Sequence, residues 1–160
     1  MSAAAIASVH ARVNPLTITL ESRPQPQNGL QGRLSFQHAM AAALVDGDCL
    51  PAQFTDERVR DPVISSLRRK IEPVADASIA QHQCELSIRL VDGRILQHRV
   101  EHATGTAGHP MTDAMLDAKF RSLLDGRLPA ARIRRLLDLL WHLDAVDDIG
   151  VIMRACRITP

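Results

Sequence analysis

Two stretches of alternating apolar and polar residues predict β-strands. The first begins at residue 6, where Ser8, His10 and Arg12 form its polar side. Its apolar side consists of Ala7, Val9, Ala11 and Val13. A period of two is typical of a strand with one buried face. Asn14-Pro15 ends the alternation, and the Pro-, Gln- and Asn-rich residues 22–29 predict a loop.

The second stretch predicts a β-hairpin. Its outgoing arm alternates Cys84, Leu86, Ile88 and Leu90 with polar residues, and the return arm spans residues 94–101. Asp92-Gly93 between the arms is typical of a type I′ turn. The strand at residues 9–13 has no neighbour close to it in sequence, so we expect it to pair with the hairpin in one sheet.

Helix signals occupy most of the remaining chain. Ser35 and Asp46-Gly47 bound one predicted helix, and Asp61-Pro62 begins another. The apolar stripe of this second helix consists of Val63, Ile64, Leu67 and Ile71, and its last turn holds the cations of residues 68–70. Thr112 and Gly126 bound a third helix, Pro129 opens a fourth that reaches Trp141, and residues 146–153 predict a short last one.

This order of elements predicts an α+β fold, a small antiparallel or mixed sheet with helices packed on one face. The length of 160 residues fits one domain over residues 1–160, with no second hydrophobic core expected.

Composition excludes several classes of function. A net charge of +1 gives no electrostatic reason to expect a nucleic acid or an anionic membrane as a partner. No apolar run approaches the ~18 residues that a membrane span needs. Residues 1–5 lack the pattern of a secretory signal, and the three cysteines, Cys49, Cys84 and Cys156, have no disulfide-framework spacing. We therefore expect a cytoplasmic protein with reduced thiols.

The residues that carry chemistry form no complete site by themselves. Seven histidines are present, but His98 and His102, near the end of a predicted strand, lie too far apart to share an ion easily. No cysteine partners the loop residues His82 or His109 at a zinc-motif spacing, so no metal site is expected. There is no tyrosine, Lys70 and Lys119 are the only lysines, and neither a nucleophile motif nor a phosphate loop occurs. The arginines of residues 127–135 are interpreted as a solvated helix face.

Several motifs, in order, resemble the C-terminal domain of the MmgE/PrpD family. Residues 32–47, GRLSFQHAMAAALVDG, are similar to the family segment KFSxxYxxAxALxDG. The motifs QFT at 53–55, VRDPVI at 59–64 and DG at 92–93 follow in the family's order. GHPMT at 108–112 resembles a shortened GxPxNPxT loop, and AKF at 118–120 and LWHLD at 140–144 complete a resemblance over about residues 6–152.

The resemblance implies a lyase or isomerase of small di- or tricarboxylic acids that uses neither a metal nor an organic cofactor. Family members join this small domain to a large helical domain, which supplies most acid/base residues and which is absent here. His38 stands where the family segment has tyrosine, and Arg33 is nearby. We expect His38 as a catalytic residue and Arg33 as a carboxylate-binding one. The alternative for His38 is a helix histidine satisfied by a neighbour.

Two functions are compatible with this resemblance. The first is a small domain or subunit of a 2-methylcitrate dehydratase-like lyase, inactive alone and partnered by a helical-domain polypeptide. The second is a non-catalytic module of the same family that self-associates or binds a partner. In both cases we expect a homodimer, because a domain separated from its partner exposes an apolar face.

Overall fold

Strand β1, Ile6–Val13, lies inside a four-stranded sheet of order β2-β1-β3-β4. Strands β2 (Ile71–Ala75), β3 (Cys84–Leu90) and β4 (Ile95–Val100) complete it. β1 runs parallel to β2 and antiparallel to β3, and β3 pairs antiparallel with β4. The predicted pairing of β1 with the hairpin is therefore confirmed in this computed structural model, which describes residues 2–158.

A β-bulge decides which side chains of β1 face the core. The partner of Ile6 is Leu90 and the partner of Ser8 is Arg89, so Ala7 is an extra residue. The bulge turns Ile6 inward on the same side as Val9, whereas Ala7 is exposed. The prediction that Ala7 shares the apolar face is thus wrong, because a strict period of two does not continue through a bulge.

The helices of the first part of the chain follow their end signals. They are α1 Pro15–Glu21, α2 Gly29–Gly32, α3 Phe36–Asp46, α4 Asp56–Arg60 and α5 Pro62–Arg68. Ser35 caps α3 and Asp61 caps α5, as predicted, and Gly47 ends α3 in the left-handed conformation with φ 76°. Ala41 and Ala42 of α3 are fully buried in the core that also holds Ile64 and Leu67 of α5.

The end of α5 differs from its prediction. The helix stops at Arg68, and Ile71 is the first residue of β2, paired with Val9, rather than the last residue of the helical stripe. Val63, also predicted in that stripe, is exposed. β2 lies at an edge of the sheet, where Pro73 is tolerated because one side of the strand needs no backbone donor.

The turn of the hairpin also differs from its prediction. Gly93 has a positive φ of 88°, but Asp92 does not, whereas a type I′ turn needs positive φ at both central residues. The Gly93 N–H donates to the Leu90 carbonyl, and the Leu90 N–H donates to the Arg94 carbonyl. These bonds indicate a three-residue loop that ends in a glycine bulge, because only Gly93 adopts the left-handed conformation there.

The chain divides after His109 into two compact units. The second unit holds α6 (Asp113–Leu124), α7 (Ala130–Trp141), a 3-10 turn Leu143–Ala145 and α8 (Gly150–Ala155). Thr112 caps α6 as predicted, but the last helix begins later than the predicted 146–153. Five residues form a separate apolar cluster, namely Leu128, Ile133, Leu136, Leu137 and Ile152. The expectation of no second hydrophobic core is therefore wrong.

The fold is α+β with a mixed sheet, as predicted. The assignment of residues 1–160 to one domain stays a prediction, and Met1, Thr159 and Pro160 lie outside the described residues. Among the helices of residues 2–158, none is long and apolar enough to span a membrane.

Candidate functional site

His38, the residue at the family's tyrosine position, lies in the first turn of α3. The Ser35 hydroxyl oxygen accepts the backbone N–H of His38 at 3.1 Å, so the cap fixes the backbone of this turn. Gly32 precedes it without a side chain, and a Cβ there would lie 3.3 Å from Cδ2 of His38 and 2.7 Å from Cγ2 of Val59. Gly32 thus permits the close approach that encloses the imidazole.

Both ring nitrogens of the fully buried His38 are bonded within the first unit. Nδ1 lies 3.2 Å from Nη1 of Arg68, and Nε2 lies 2.8 Å from the Gln53 carbonyl oxygen. A guanidinium only donates and a carbonyl only accepts, so Nδ1 is the acceptor and Nε2 carries the proton. The Phe54 ring meets the imidazole edge-on, with centroids 5.5 Å apart.

The ring of His38 is held in its neutral form. Burial lowers its pKa below the ordinary 6.5, and the charges of Arg68 and Arg58 lower the pKa further, against the opposing effect of the Gln53 carbonyl. In this conformation no ring nitrogen is exposed to a substrate. The arrangement favours the histidine satisfied by its neighbours, and the catalytic role of His38 stays a prediction.

Three further buried polar residues surround His38 and bind the loop of residues 22–24. They are Ser35, Gln37 and Arg68. The Ser35 hydroxyl donates to the Arg23 carbonyl at 2.6 Å, and the Gln37 amide donates to the Ser22 hydroxyl at 2.7 Å. Nε of Arg68 donates to the Pro24 carbonyl at 3.1 Å. This polar cluster connects α3, α5 and the loop, because each side chain satisfies backbone or hydroxyl groups of another segment.

The sequence pattern predicts Arg68 only as a cation in the last turn of α5, yet the residue is buried. Its spacing carried a signal: Arg68 follows Ile64 by four residues and Leu67 by one, which places it beside the apolar stripe. Burial lowers the pKa of Arg68, and the charge of Arg69 lowers it further. The guanidinium stays protonated at neutral pH, so a buried positive charge lies next to His38.

Arg33, the predicted carboxylate-binding residue, lies at the C-terminal end of α2 and is exposed. Within residues 2–158 its side chain forms neither an ion pair nor a hydrogen bond, so the guanidinium is accessible to a ligand. No hydrogen bond joins the side chains of Arg33 and His38 in the described part of the chain. The role of Arg33 therefore stays a prediction.

The remaining histidines form no metal centre that the structure describes. Within residues 2–158, no three His, Cys, Asp or Glu side chains gather in a way that could hold a metal ion. His82 and His102 stack in parallel with centroids 5.3 Å apart, and His98 lies in β4. Of the basic cluster, Arg127, Arg134 and Arg135 are exposed and Arg132 is half-buried.

Comparison with known proteins identifies the family of this chain. The family model described as the MmgE/PrpD C-terminal domain matches residues 1–143. The chain is similar to cis-aconitate decarboxylases, with 28% identity over 140 residues to that of Mus musculus and 30% over 136 residues to that of Aspergillus terreus (strain NIH 2624 / FGSC A1156). These alignments cover 85% and 81% of this chain. They span only 29% and 28% of the respective relatives.

Proposed function

Because the chain belongs to the MmgE/PrpD family, we propose that it is the small domain of a lyase or isomerase that acts on di- or tricarboxylic acids. The single observation that carries this proposal is the family match over residues 1–143. The relatives are decarboxylases of cis-aconitate, so cis-aconitate is the first substrate to test and 2-methylcitrate the second. We propose a cytoplasmic location, in keeping with the free thiols of Cys49, Cys84 and Cys156.

We further propose that this chain needs a helical-domain polypeptide for activity. Decarboxylation or dehydration of such acids requires positioned acid/base groups and cations for the carboxylates. The chain has no tyrosine, and the ring nitrogens of its buried His38 are both bonded. Arg33 is an exposed cation that a carboxylate of the substrate can reach. When catalytic residues that act together are missing, the reaction rate falls by several orders of magnitude.

The test is reconstitution from purified parts. The chain alone, a helical-domain polypeptide of a family member alone, and their mixture are assayed for CO2 release from cis-aconitate and for dehydration of 2-methylcitrate. Turnover by the mixture only is expected. Turnover by the chain alone would contradict the need for a partner. If the chain in the mixture binds neither the helical-domain polypeptide nor the substrate, the second function below is favoured.

Arg33 provides a residue-level test in the active mixture. Arg33→Gln should raise KM with a small change in kcat, because it removes a ground-state contact to a carboxylate. The matched control is Arg23→Gln, which removes another exposed arginine of the same unit. Equal kinetics for the two variants would remove Arg33 from the substrate site.

The second candidate function is a self-associating module without activity. The observation that favours it is the open edge of the sheet at β4, where Ile95 and Leu96 are exposed. An exposed apolar edge strand can pair with a second copy of itself. Light scattering should then show a homodimer that Leu96→Lys converts to a monomer, whereas Gln97→Lys on the same strand should not. A monomeric wild-type chain at high concentration would exclude this function.

A further inference from the structure

A polar cavity of about 360 Å³ lies beside Arg68, between the loop of residues 24–27 and helices α4 and α5. Its wall contains three arginines, Arg60, Arg68 and Arg69, together with the Ser65 hydroxyl. No Asp or Glu side chain among residues 2–158 lines the cavity. The cavity therefore concentrates positive charge without an acidic partner in its wall.

Arg68 is the buried arginine of the three, whereas Arg60 and Arg69 are exposed to solvent. Its side chain is 6% exposed, and no carboxylate among residues 2–158 pairs with it. Its acceptors are the Pro24 and Val59 carbonyls, His38 Nδ1 and the Ser65 hydroxyl. Buried charges in proteins are normally paired, because an isolated one loses its hydration. An anion in the adjacent cavity would supply the missing partner.

Donors remain available on the cavity wall. The contacts of Arg68 use Nε, both N–H groups of Nη1 and one N–H of Nη2, which leaves the second Nη2 N–H without an acceptor within residues 2–158. Ser65 accepts from Arg68 at 3.3 Å and from Arg69 at 3.1 Å, so its own O–H proton is left to donate. Nη2 of Arg60 lies 3.6 Å from the exposed Asp56 carboxylate and donates to the Gln27 carbonyl at 3.3 Å, which leaves its Nε and Nη1 N–H groups without an acceptor among residues 2–158.

We propose that this cavity is an oxyanion-binding site that takes a small polyanion through carboxylate or phosphate oxygens. A guanidinium binds either group in a bidentate manner, and the combined charge of three arginines favours a ligand with more than one negative charge. The site lies entirely in the first unit, so it binds its ligand without a helical-domain partner and independently of any turnover.

The experiment uses the purified chain with citrate and inorganic phosphate as probes, titrated at constant ionic strength by calorimetry. NMR of the Arg68 Nε–H reports binding at the cavity itself. Saturable binding with a dissociation constant of about 1 mM or tighter is expected, together with a shift of the Arg68 signal. Tighter binding of citrate identifies carboxylate as the ligand group, tighter binding of phosphate identifies phosphate, and similar affinities identify a general oxyanion site.

Substitutions of the two exposed arginines of the cavity wall, Arg60 and Arg69, separate a loss of binding from a loss of folding. The double variant Arg60→Gln, Arg69→Gln leaves the buried Arg68 in place. Its dissociation constant should be at least about fivefold higher, which corresponds to a loss of roughly 1 kcal/mol of binding free energy. The matched control, Arg89→Gln with Arg94→Gln, removes the same charge from the exposed hairpin and should leave the affinity unchanged. No saturable binding, an unmoved Arg68 signal or an equal loss in the control would each overturn the site.

Discussion

Nη1 of Arg68 donates to Nδ1 of His38 across 3.2 Å, and this contact sets the tautomer of the histidine. The residue that occupies the family's tyrosine position is therefore bound to a buried cation of a different helix, α5. The same guanidinium forms part of the wall of the polar cavity beside it. The position of the family motif and the proposed anion site thus share one residue, Arg68.

The hydrogen bonds of His38 should make a measurable contribution to stability. His38→Phe keeps a ring of similar size but leaves the Gln53 carbonyl and one Arg68 N–H without a partner. We expect the free energy of unfolding to fall by about 2–4 kcal/mol, because buried polar groups that lose their partners keep their desolvation cost. Urea denaturation measures this change, and His98→Phe on the exposed β4 strand is the control. Similar stabilities of the two variants would contradict the bonded, buried ring.

The lowered pKa of His38 predicts a loss of stability in mild acid. The unfolded state takes up a proton near pH 6.5, whereas the folded state resists protonation until a lower pH. The contribution of His38 is thus present above pH about 6.5 and decreases as the pH falls from about 7.5 to about 5.5. Unfolding measured at both pH values should show this loss in the wild type and a smaller loss in His38→Phe. An identical pH dependence of the two proteins would exclude His38 as its source.

Asp76 provides a test of surface electrostatics on the sheet. The Ser78 hydroxyl and backbone N–H donate to its carboxylate at 2.6 and 2.8 Å, and Arg12 pairs with it. The Ser78 hydroxyl, followed by Arg12, lowers the pKa of Asp76 to about 2. Its stabilising contribution is therefore present above pH 3.8 and disappears as the pH falls through about 2.

Ser78→Ala should raise the pKa of Asp76 toward 3.8, the value of an unperturbed aspartate. Carboxyl carbon shifts followed by NMR during an acid titration measure this change. Ser87→Ala on β3 is the control, because the contacts of the Asp76 carboxylate do not include Ser87. A pKa of Asp76 that stays near 2 in the Ser78 variant would show that the hydroxyl is not the main cause.

Gly29 marks a close approach of two backbone segments. It begins α2, and a Cβ at this position would overlap the carbonyl oxygen of Phe54. Gly29→Ala must therefore displace the turn of residues 51–54, and we expect a loss of about 1–3 kcal/mol in the free energy of unfolding. Leu30→Ala, at an exposed position of the same helix, is the control and should change stability by less than about 0.5 kcal/mol. Thermal or urea unfolding that finds Gly29→Ala neutral would contradict this packing.

Elements with strong local end signals were predictable from the sequence. Ser35 and Gly47 bound α3, and Thr112 caps α6. The alternation of apolar and polar residues in β1 and β3 predicted the pairing of these strands. Both signals depend on residues only a few positions apart. Strand β2 was not predicted from the sequence, because Ile71 also fits the apolar stripe of α5. Only the pairing of Ile71 with Val9 assigns this residue to the sheet.

The sequence by itself determined the α+β class, the family motif around His38 and the helix caps Ser35, Asp61 and Thr112, all of which depend on residues close together in the chain. The tertiary structure alone decided the orientation of Ile6 and Ala7 and the burial of His38 and Arg68. The bulge at Ala7 turned Ile6 inward, and the Gln53 carbonyl enclosed His38 from fifteen residues away. Arg68 became buried because the loop at Pro24 covers it, a contact across 44 residues. Burial and charge pairing depend on such distant segments, so local pattern cannot supply them.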